Sequence, residues 1–105
     1  NIYYLYFKEN EYMKLKEESK NKSVLTTSHV LVNGSPVTFV LYDEDGDWQL
    51  FGDEDVDEDE DAYIVSVEEI LELDPALRKL PGMQPGQAAA RNKESNRWAI
   101  VEEEE

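Results

Sequence analysis

Three aspartates at alternate positions are the first residues of this chain whose spacing suggests chemistry. Asp43, Asp45 and Asp47 share their spacing with the start of an EF-hand calcium loop, which needs a glycine directly after the third acid. Here Gly46 precedes the third acid and Trp48 follows it. The pattern therefore favours a solvated turn with an Asp-Gly bend. We assign it no metal ligand and no cofactor.

A second run of carboxylates follows between residues 52 and 61, with Val56 as the one large apolar residue. Carboxylate oxygens suit hard divalent cations, but such dense like charge repels itself and does not build a rigid cage. We expect a mobile acidic loop, and two roles stay open for it: solubility, or contact with another protein. The residues that we predict to contact a partner are Asp43, Asp45, Asp47, Asp53, Glu54, Asp55, Asp57, Glu58 and Asp59.

Residues suited to catalysis are sparse. His29 is the only histidine and falls in a strand-like pattern, and cysteine is absent, which excludes thiol nucleophiles and thiolate metal sites. A serine, histidine and aspartate can be nominated, but no nucleophile elbow accompanies them, and no glycine-rich phosphate loop appears. We predict that the protein is not an enzyme and has no catalytic residue.

The net charge of −15 restricts the partners. Twelve of the twenty-five carboxylates lie between Asp43 and Asp61, and Glu102 to Glu105 add four more. A phosphate backbone or an anionic membrane would be repelled, so we expect no nucleic acid and no membrane. A basic protein partner, a cation or simple solubility would each account for the charge, and the partner that we expect is a basic protein. Without a membrane-spanning run or a signal peptide we expect a cytoplasmic protein, although a targeting segment could have preceded Asn1.

The elements that must position these residues begin with an apparent hairpin. Residues 30–32 and 37–41 alternate around Asn33-Gly34, the strongest short-range hairpin signal, and the turn at Asp43 leads into Trp48–Phe51. This predicts a three-stranded meander. Residues 62–65 read as a further strand, and residues 88–91 and 97–101 as a closing hairpin.

Helix signals lie before and after the acidic loop. Ser66 with Glu69 forms a capping-box pattern ahead of an apolar stripe, and Asp74-Pro75 begins a second short helix. Residues 1–22 read as an aromatic start with an N-terminal helix, and residues 19–27 as a polar linker. We predict an α+β fold: an antiparallel β-meander sheet with short helices packed on one side, as a single domain over residues 23–105 behind the 1–22 segment.

A set of short motifs resembles a known family. The motifs are Ser28-His29-Val30-Leu31, Asp45-Gly46-Asp47-Trp48-Gln49, Val67-Glu68-Glu69-Ile70-Leu71, Leu73-Asp74-Pro75, Pro85-Gly86, Ala90-Arg91 and Trp98. With these motifs the chain resembles, over about three-quarters of its length, a small bacterial domain family of unknown function that is grouped with the immunity proteins of polymorphic toxin systems. The resemblance implies a protein-neutralising role and no catalytic residues. Segments 1–22 and 53–61 are not part of the family's pattern.

Two functions follow as hypotheses. The first is a protein-binding domain, an immunity-type protein that neutralises a basic toxin through the acidic surface. The alternative is a structural or accessory domain whose acidity serves solubility and whose 1–22 segment docks it to a larger assembly. The aromatic residues Tyr3, Tyr4, Tyr6 and Phe7 bear on that choice, and the oligomeric state stays open.

Overall fold

The computed structural model of the protein describes residues 12–57 and 61–101. Within these ranges the α+β class is confirmed. The strands, β1 to β6 in chain order, are Ser23–Thr27, Phe39–Tyr42, Trp48–Phe51, Ala62–Ser66, Gln87–Arg91 and Trp98–Val101. Among the described residues, α-helices α1 and α2 lie at Ser28–Leu31 and Val67–Leu73, and 3-10 helices lie at Leu15–Glu17 and Pro75–Lys79.

The strands form one mostly antiparallel sheet in the order β4-β1-β3-β2-β5-β6. The predicted pairing of β2 with β3 is present, with Val40 opposite Leu50, and so is the closing hairpin of β5 with β6, with Ala89 opposite Ile100. The exception is β1, which runs parallel to β3 through the register of Leu25 with Gln49. The chain can make that parallel pair because α1 and β2 intervene between the two strands.

The strand predicted at residues 30–32 is wrong, because these residues belong to helix α1 and its C-terminal turn. Thr27 caps the helix by accepting a hydrogen bond from the Val30 N–H at 3.3 Å. A two-residue hairpin turn would need positive φ at both Asn33 and Gly34, but only Gly34 has it, at +76°. The Asn-Gly pair thus turns the chain away from a helix end, so the predicted meander lacks its first strand.

The linker predicted at residues 19–27 is wrong over its second half, where strand β1 lies between β4 and β3. Val24 and Thr26 are buried in this strand. The Thr26 hydroxyl donates to the Leu50 carbonyl oxygen at 3.0 Å, so a polar side chain is accommodated in the interior. Polar composition therefore concealed a strand whose hydroxyl groups are satisfied by the fold.

The predicted helix starts after the acidic loop are confirmed. Ser66 Oγ accepts from the Glu69 N–H at 3.1 Å and Glu69 Oε1 accepts from the Ser66 N–H at 3.3 Å, which completes the capping box of α2. Asp74 Oδ1 accepts from the Ala76 N–H at 3.3 Å, and the short helix that follows is 3-10.

The N-terminal helix predicted within residues 1–22 falls partly outside the described residues. From residue 12 onward this segment contains the 3-10 turn Leu15–Glu17 and no α-helix. Leu15 is fully buried, and Met13 exchanges two backbone hydrogen bonds of 2.9 Å with Met83. These contacts pack residues 13–15 against the elements that follow.

One face of the sheet carries the core. Val24, Val40, Leu50 and Ala89 alternate with more exposed neighbours along β1, β2, β3 and β5. The helical segments bury their apolar residues in the same cluster: Leu15, Val30, Val67, Ile70, Leu71 and Leu77. The described helices therefore cover this face of the sheet. None of the buried helical side chains named above lies on the opposite face.

Candidate functional site

The acidic turn between β2 and β3 is organised by Asp43. Its Oδ1 accepts from the N–H groups of Asp45 at 2.9 Å and Asp47 at 3.0 Å, and its Oδ2 accepts from Gln49 Nε2 at 3.3 Å. The backbone hydrogen bond from Asp47, with smaller help from Gln49, holds the pKa of Asp43 below its ordinary value. The carboxylate of Asp43, which was predicted to contact a partner, therefore accepts hydrogen bonds that stabilise the turn.

The other acids of this turn face solvent. Asp47 lies 3.8 Å from Lys22 Nζ, with its side chain 64% exposed. Glu44 and Asp45 are exposed, and within the described part of the chain their carboxylates make no hydrogen bond or ion pair. Of this turn, Glu44 and Asp45 thus present negative charge to solvent that no described residue neutralises.

The acidic segment after β3 is attached to the fold by two of its carboxylates. Asp53 accepts from Thr38 Oγ1 at 2.8 Å and pairs with Lys93, and Glu54 Oε2 accepts from Ser35 Oγ at 2.6 Å. The pKa of Asp53 is lowered chiefly by the hydrogen bond with Lys93, and that of Glu54 by the hydrogen bond from Ser35. The segment predicted as mobile is therefore anchored at these points.

Beyond these anchors the segment carries its remaining predicted contact residues. Asp55 is exposed and, among the described residues, its carboxylate has no partner. Asp57 is also exposed, and its N–H donates to Asp61 Oδ2 at 3.0 Å. Glu58 and Asp59, also predicted as contacts, lie outside the described residues.

Ser28, His29 and Asp61 lie close together, but not as a nucleophile triad. Ser28 Oγ donates to Asp61 Oδ1 at 2.9 Å, and His29 Nε2 lies 3.5 Å from Asp61 Oδ2. His29 sits on α1 rather than in the predicted strand. In a catalytic triad the serine hydroxyl donates a hydrogen bond to the imidazole. Here the Ser28 hydroxyl donates to the Asp61 carboxylate, and this hydrogen bond connects Asp61 to the start of α1. Within the described ranges no three His, Cys, Asp or Glu side chains cluster as metal ligands.

The sheet face opposite the core is a feature that sequence reasoning missed. Strand register places one residue from each strand in a single row across it, and only Gln49 in this row is polar. In sheet order the row is Ile64, Leu25, Gln49, Leu41, Ala88 and Val101. A second row on the same face is Phe51, Phe39, Ala90 and Ala99. We call these ten residues the open sheet face.

The open sheet face is apolar but accessible. Ile64 is 64% exposed, Val101 41% and Phe39 37%. Antiparallel sheets with one buried face usually turn polar residues to solvent, so an apolar second face is unusual. The signal was present in the sequence as continuous rather than alternating apolar runs, at residues 39–42 and 98–101.

The two acidic segments border this face at opposite ends of β3. Leu25 and Gln49 line a shallow depression of about 400 Å³ that also includes Val56, and a second of about 310 Å³ that includes Asp43 and Asp47. The turn at residues 43–47 precedes β3 and the segment at residues 53–57 follows it. Asp43 and Asp47 thus lie beside this apolar surface at one end of β3, and Val56 of the acidic segment 53–57 lies beside it at the other end.

Comparison with known proteins gives no relative from which a function could be taken. The chain matches no protein-family model, no curated protein and no solved structure. Among the described residues, no helix is long and apolar enough to cross a membrane.

Proposed function

We propose that this chain is a non-enzymatic protein-binding domain of the immunity type, which neutralises a basic toxin by covering it with an acidic surface. The observation that carries the proposal is that the carboxylates fall into two groups, those bonded within the chain and those exposed to solvent. Asp43, Asp53 and Glu54 bind groups of their own chain, whereas Glu44, Asp45 and Asp55 are exposed without partners among the described residues.

This division suits recognition of a cationic partner. Carboxylates on anchored segments need less ordering on binding than carboxylates on a free chain, which lowers the entropic cost of association. Because Glu44, Asp45 and Asp55 pair with no cation among the described residues, no such ion pair has to break before they attract a basic surface. Such a field accelerates encounter and is screened by salt.

The resemblance to immunity proteins supports the finer assignment, and with it the bacterial cytoplasm as the proposed location. Several residues that carry it serve the fold, including Asp74, Arg91 and Trp98, which bond to one another or to neighbouring backbone. Conservation of such residues in a family would preserve the scaffold, and the acidic segments would then adapt the domain to its own partner.

The test is capture on the immobilised protein from an extract of the cells that produce it, at low salt, with release by a salt gradient. We compare the wild type with a variant that carries Glu44→Gln, Asp45→Asn and Asp55→Asn. A control variant carries Glu17→Gln, Glu72→Gln and Glu94→Gln, exposed acids outside the two segments, and has the same net charge.

The expected result is a retained basic protein that leaves the wild type and the control at the same salt concentration and leaves the first variant earlier. Purified partner should then associate more slowly with that variant and show a flatter dependence of the on-rate on salt. Equal elution from all three proteins would show that these carboxylates do not form the contact. The accessory-domain alternative predicts that outcome.

A further inference from the structure

The open sheet face and its two acidic borders form a combination that neither feature has alone. An accessible patch of neighbouring apolar residues is a common mark of an interaction site. Protein interfaces typically have an apolar centre and a charged or polar rim. Here the centre is the row from Ile64 to Val101 and the rim is the pair of segments 43–47 and 53–57.

We propose that the open sheet face is the docking site for a protein partner whose apolar patch is flanked by lysine or arginine side chains. This inference rests on the proposed function and specifies which surface of the domain makes the contact. The partner's apolar groups would cover Leu25, Leu41 and Phe39, and its cations would reach the carboxylates beyond each end of β3.

The negative charges that border the open sheet face favour a partner with lysine or arginine side chains. Eight carboxylates lie in the two bordering segments, and the two lysines near them, Lys22 and Lys93, are already paired with Asp47 and Asp53. A four-residue strand such as β3 spans about 13 Å. A complementary partner therefore needs cationic side chains at least that far apart, with apolar side chains between them.

Two other occupants fit less well. A second copy would bring like-charged borders together, with a net charge of −15 on each chain. The chain's own residues 1–11 carry one lysine against two glutamates, so they do not complement the borders. They also join the described chain at Tyr12, which lies beside Gly82, next to the second 3-10 helix on the core side.

The experiment uses two short synthetic peptides with the same number of lysines. In one, lysine alternates with leucine; in the other, lysine alternates with serine. Binding to the full chain is measured by calorimetry, and the contact is mapped by backbone amide shifts. The leucine peptide should bind about tenfold more tightly or better, because burying even one leucine side chain contributes that much. The largest shifts should lie on β1, β2 and β3.

Matched variants assign the effect to the open sheet face. Ile64→Thr with Phe39→Thr should reduce the affinity for the leucine peptide about tenfold and leave the serine peptide unchanged. Val32→Thr with Leu73→Thr removes two apolar side chains that are equally exposed elsewhere, and should change neither affinity. The Glu44→Gln, Asp45→Asn, Asp55→Asn variant should weaken both peptides.

The outcomes separate this inference from the proposed function. Equal, salt-sensitive binding of both peptides would overturn docking at the sheet face and leave the acidic contact standing. Binding of neither peptide would count against both proposals. Concentration-dependent dimerisation that Ile64→Thr abolishes would make a second copy the occupant. In the absence of peptide, changes of the β2 amide shifts in the Leu5→Ser, Phe7→Ser variant would show that the N-terminal segment occupies the open sheet face. Either result overturns the proposal.

Discussion

Asp74 and Arg91 hold the same residue, Val37, by its two backbone groups. Asp74 Oδ2 accepts from the Val37 N–H at 2.9 Å, and Arg91 donates to the Val37 carbonyl oxygen at 3.0 Å. The two side chains also pair with each other at 3.0 Å and are only 12% and 11% exposed. Trp98 lies against the Arg91 guanidinium at 5.8 Å. The arrangement joins the end of α2, the approach to β2, and the β5–β6 hairpin.

Removing Asp74 should therefore destabilise the whole domain. We expect Asp74→Ala to lower the free energy of unfolding by about 3 kcal/mol, because it leaves the Arg91 charge and the Val37 N–H without their partner in a mostly buried site. Urea unfolding measures the effect. Glu72→Ala, two residues earlier and exposed, is the control and should change it by less than about 0.5 kcal/mol. A small loss for Asp74→Ala would mean that water replaces the carboxylate.

This three-residue contact also marks a limit of sequence reasoning. Asp74 was correctly predicted to begin the short helix at Pro75, because a cap acts on residues two positions away. Its bonds to Val37 and Arg91 join positions 37 and 17 residues away, and no local pattern encodes them. The capping box at Ser66 and the hairpin of β5 with β6 were also predicted correctly, because their hydrogen bonds join residues that are close in sequence.

The wrong predictions have a common physical cause: the same residue pattern is compatible with two different local structures. Asn33-Gly34 suits a hairpin or a helix end, and contacts outside the pair, such as the hydrogen bond from the Val30 N–H to Thr27, favour the helix. Thr26 and Thr27 look like linker residues until the fold supplies partners for their hydroxyl groups. For the candidate site, the acids were identified from the sequence, but sequence reasoning did not distinguish Asp43, which organises a turn, from Asp45, whose carboxylate has no partner among the described residues.

The distinct role of Asp43 predicts a pH-dependent effect of its replacement. The pKa of Asp43 is lower in the folded protein than its ordinary value of 3.8, so ionised Asp43 stabilises the fold above that value. That contribution disappears as the pH falls through the lowered folded-state pKa. Asp43→Asn should thus cost about 1 kcal/mol near neutral pH, and this cost should shrink as the pH falls below 3.8 and through the lowered folded-state pKa.

Urea unfolding of the wild type and Asp43→Asn over a pH series tests this expectation. Asp45→Asn is the control, since its carboxylate makes no bond among the described residues, and it should not destabilise the fold at any pH. A difference between wild type and Asp43→Asn that persists unchanged into acid would mean that shape, rather than charge, accounts for the role of Asp43.

Leu15 decides whether the segment before residue 23 is a tail or part of the fold. It is fully buried, and the neighbouring Glu18 Oε2 accepts from Trp48 Nε1 at 2.9 Å. We expect Leu15→Ala to lower the free energy of unfolding by about 3 kcal/mol, as for other leucines removed from cores. Lys16→Ala, exposed on the same turn, should be close to neutral. Thermal unfolding followed by tryptophan fluorescence reports both, and equal midpoints would mean that Leu15 does not pack stably.

The two faces of the sheet should differ in how much stability they lose when an apolar side chain is removed. Leu50 is fully buried on the core face, so Leu50→Ala should cost about 3 kcal/mol in free energy of unfolding. Ile64 on the open sheet face is 64% exposed, and Ile64→Thr keeps a β-branched side chain, so its cost should be below about 0.5 kcal/mol. Denaturant unfolding of the isolated chain measures both. A large loss for Ile64→Thr would show that this face is already covered in the free protein, since an exposed side chain contributes little to folding and is available to a partner.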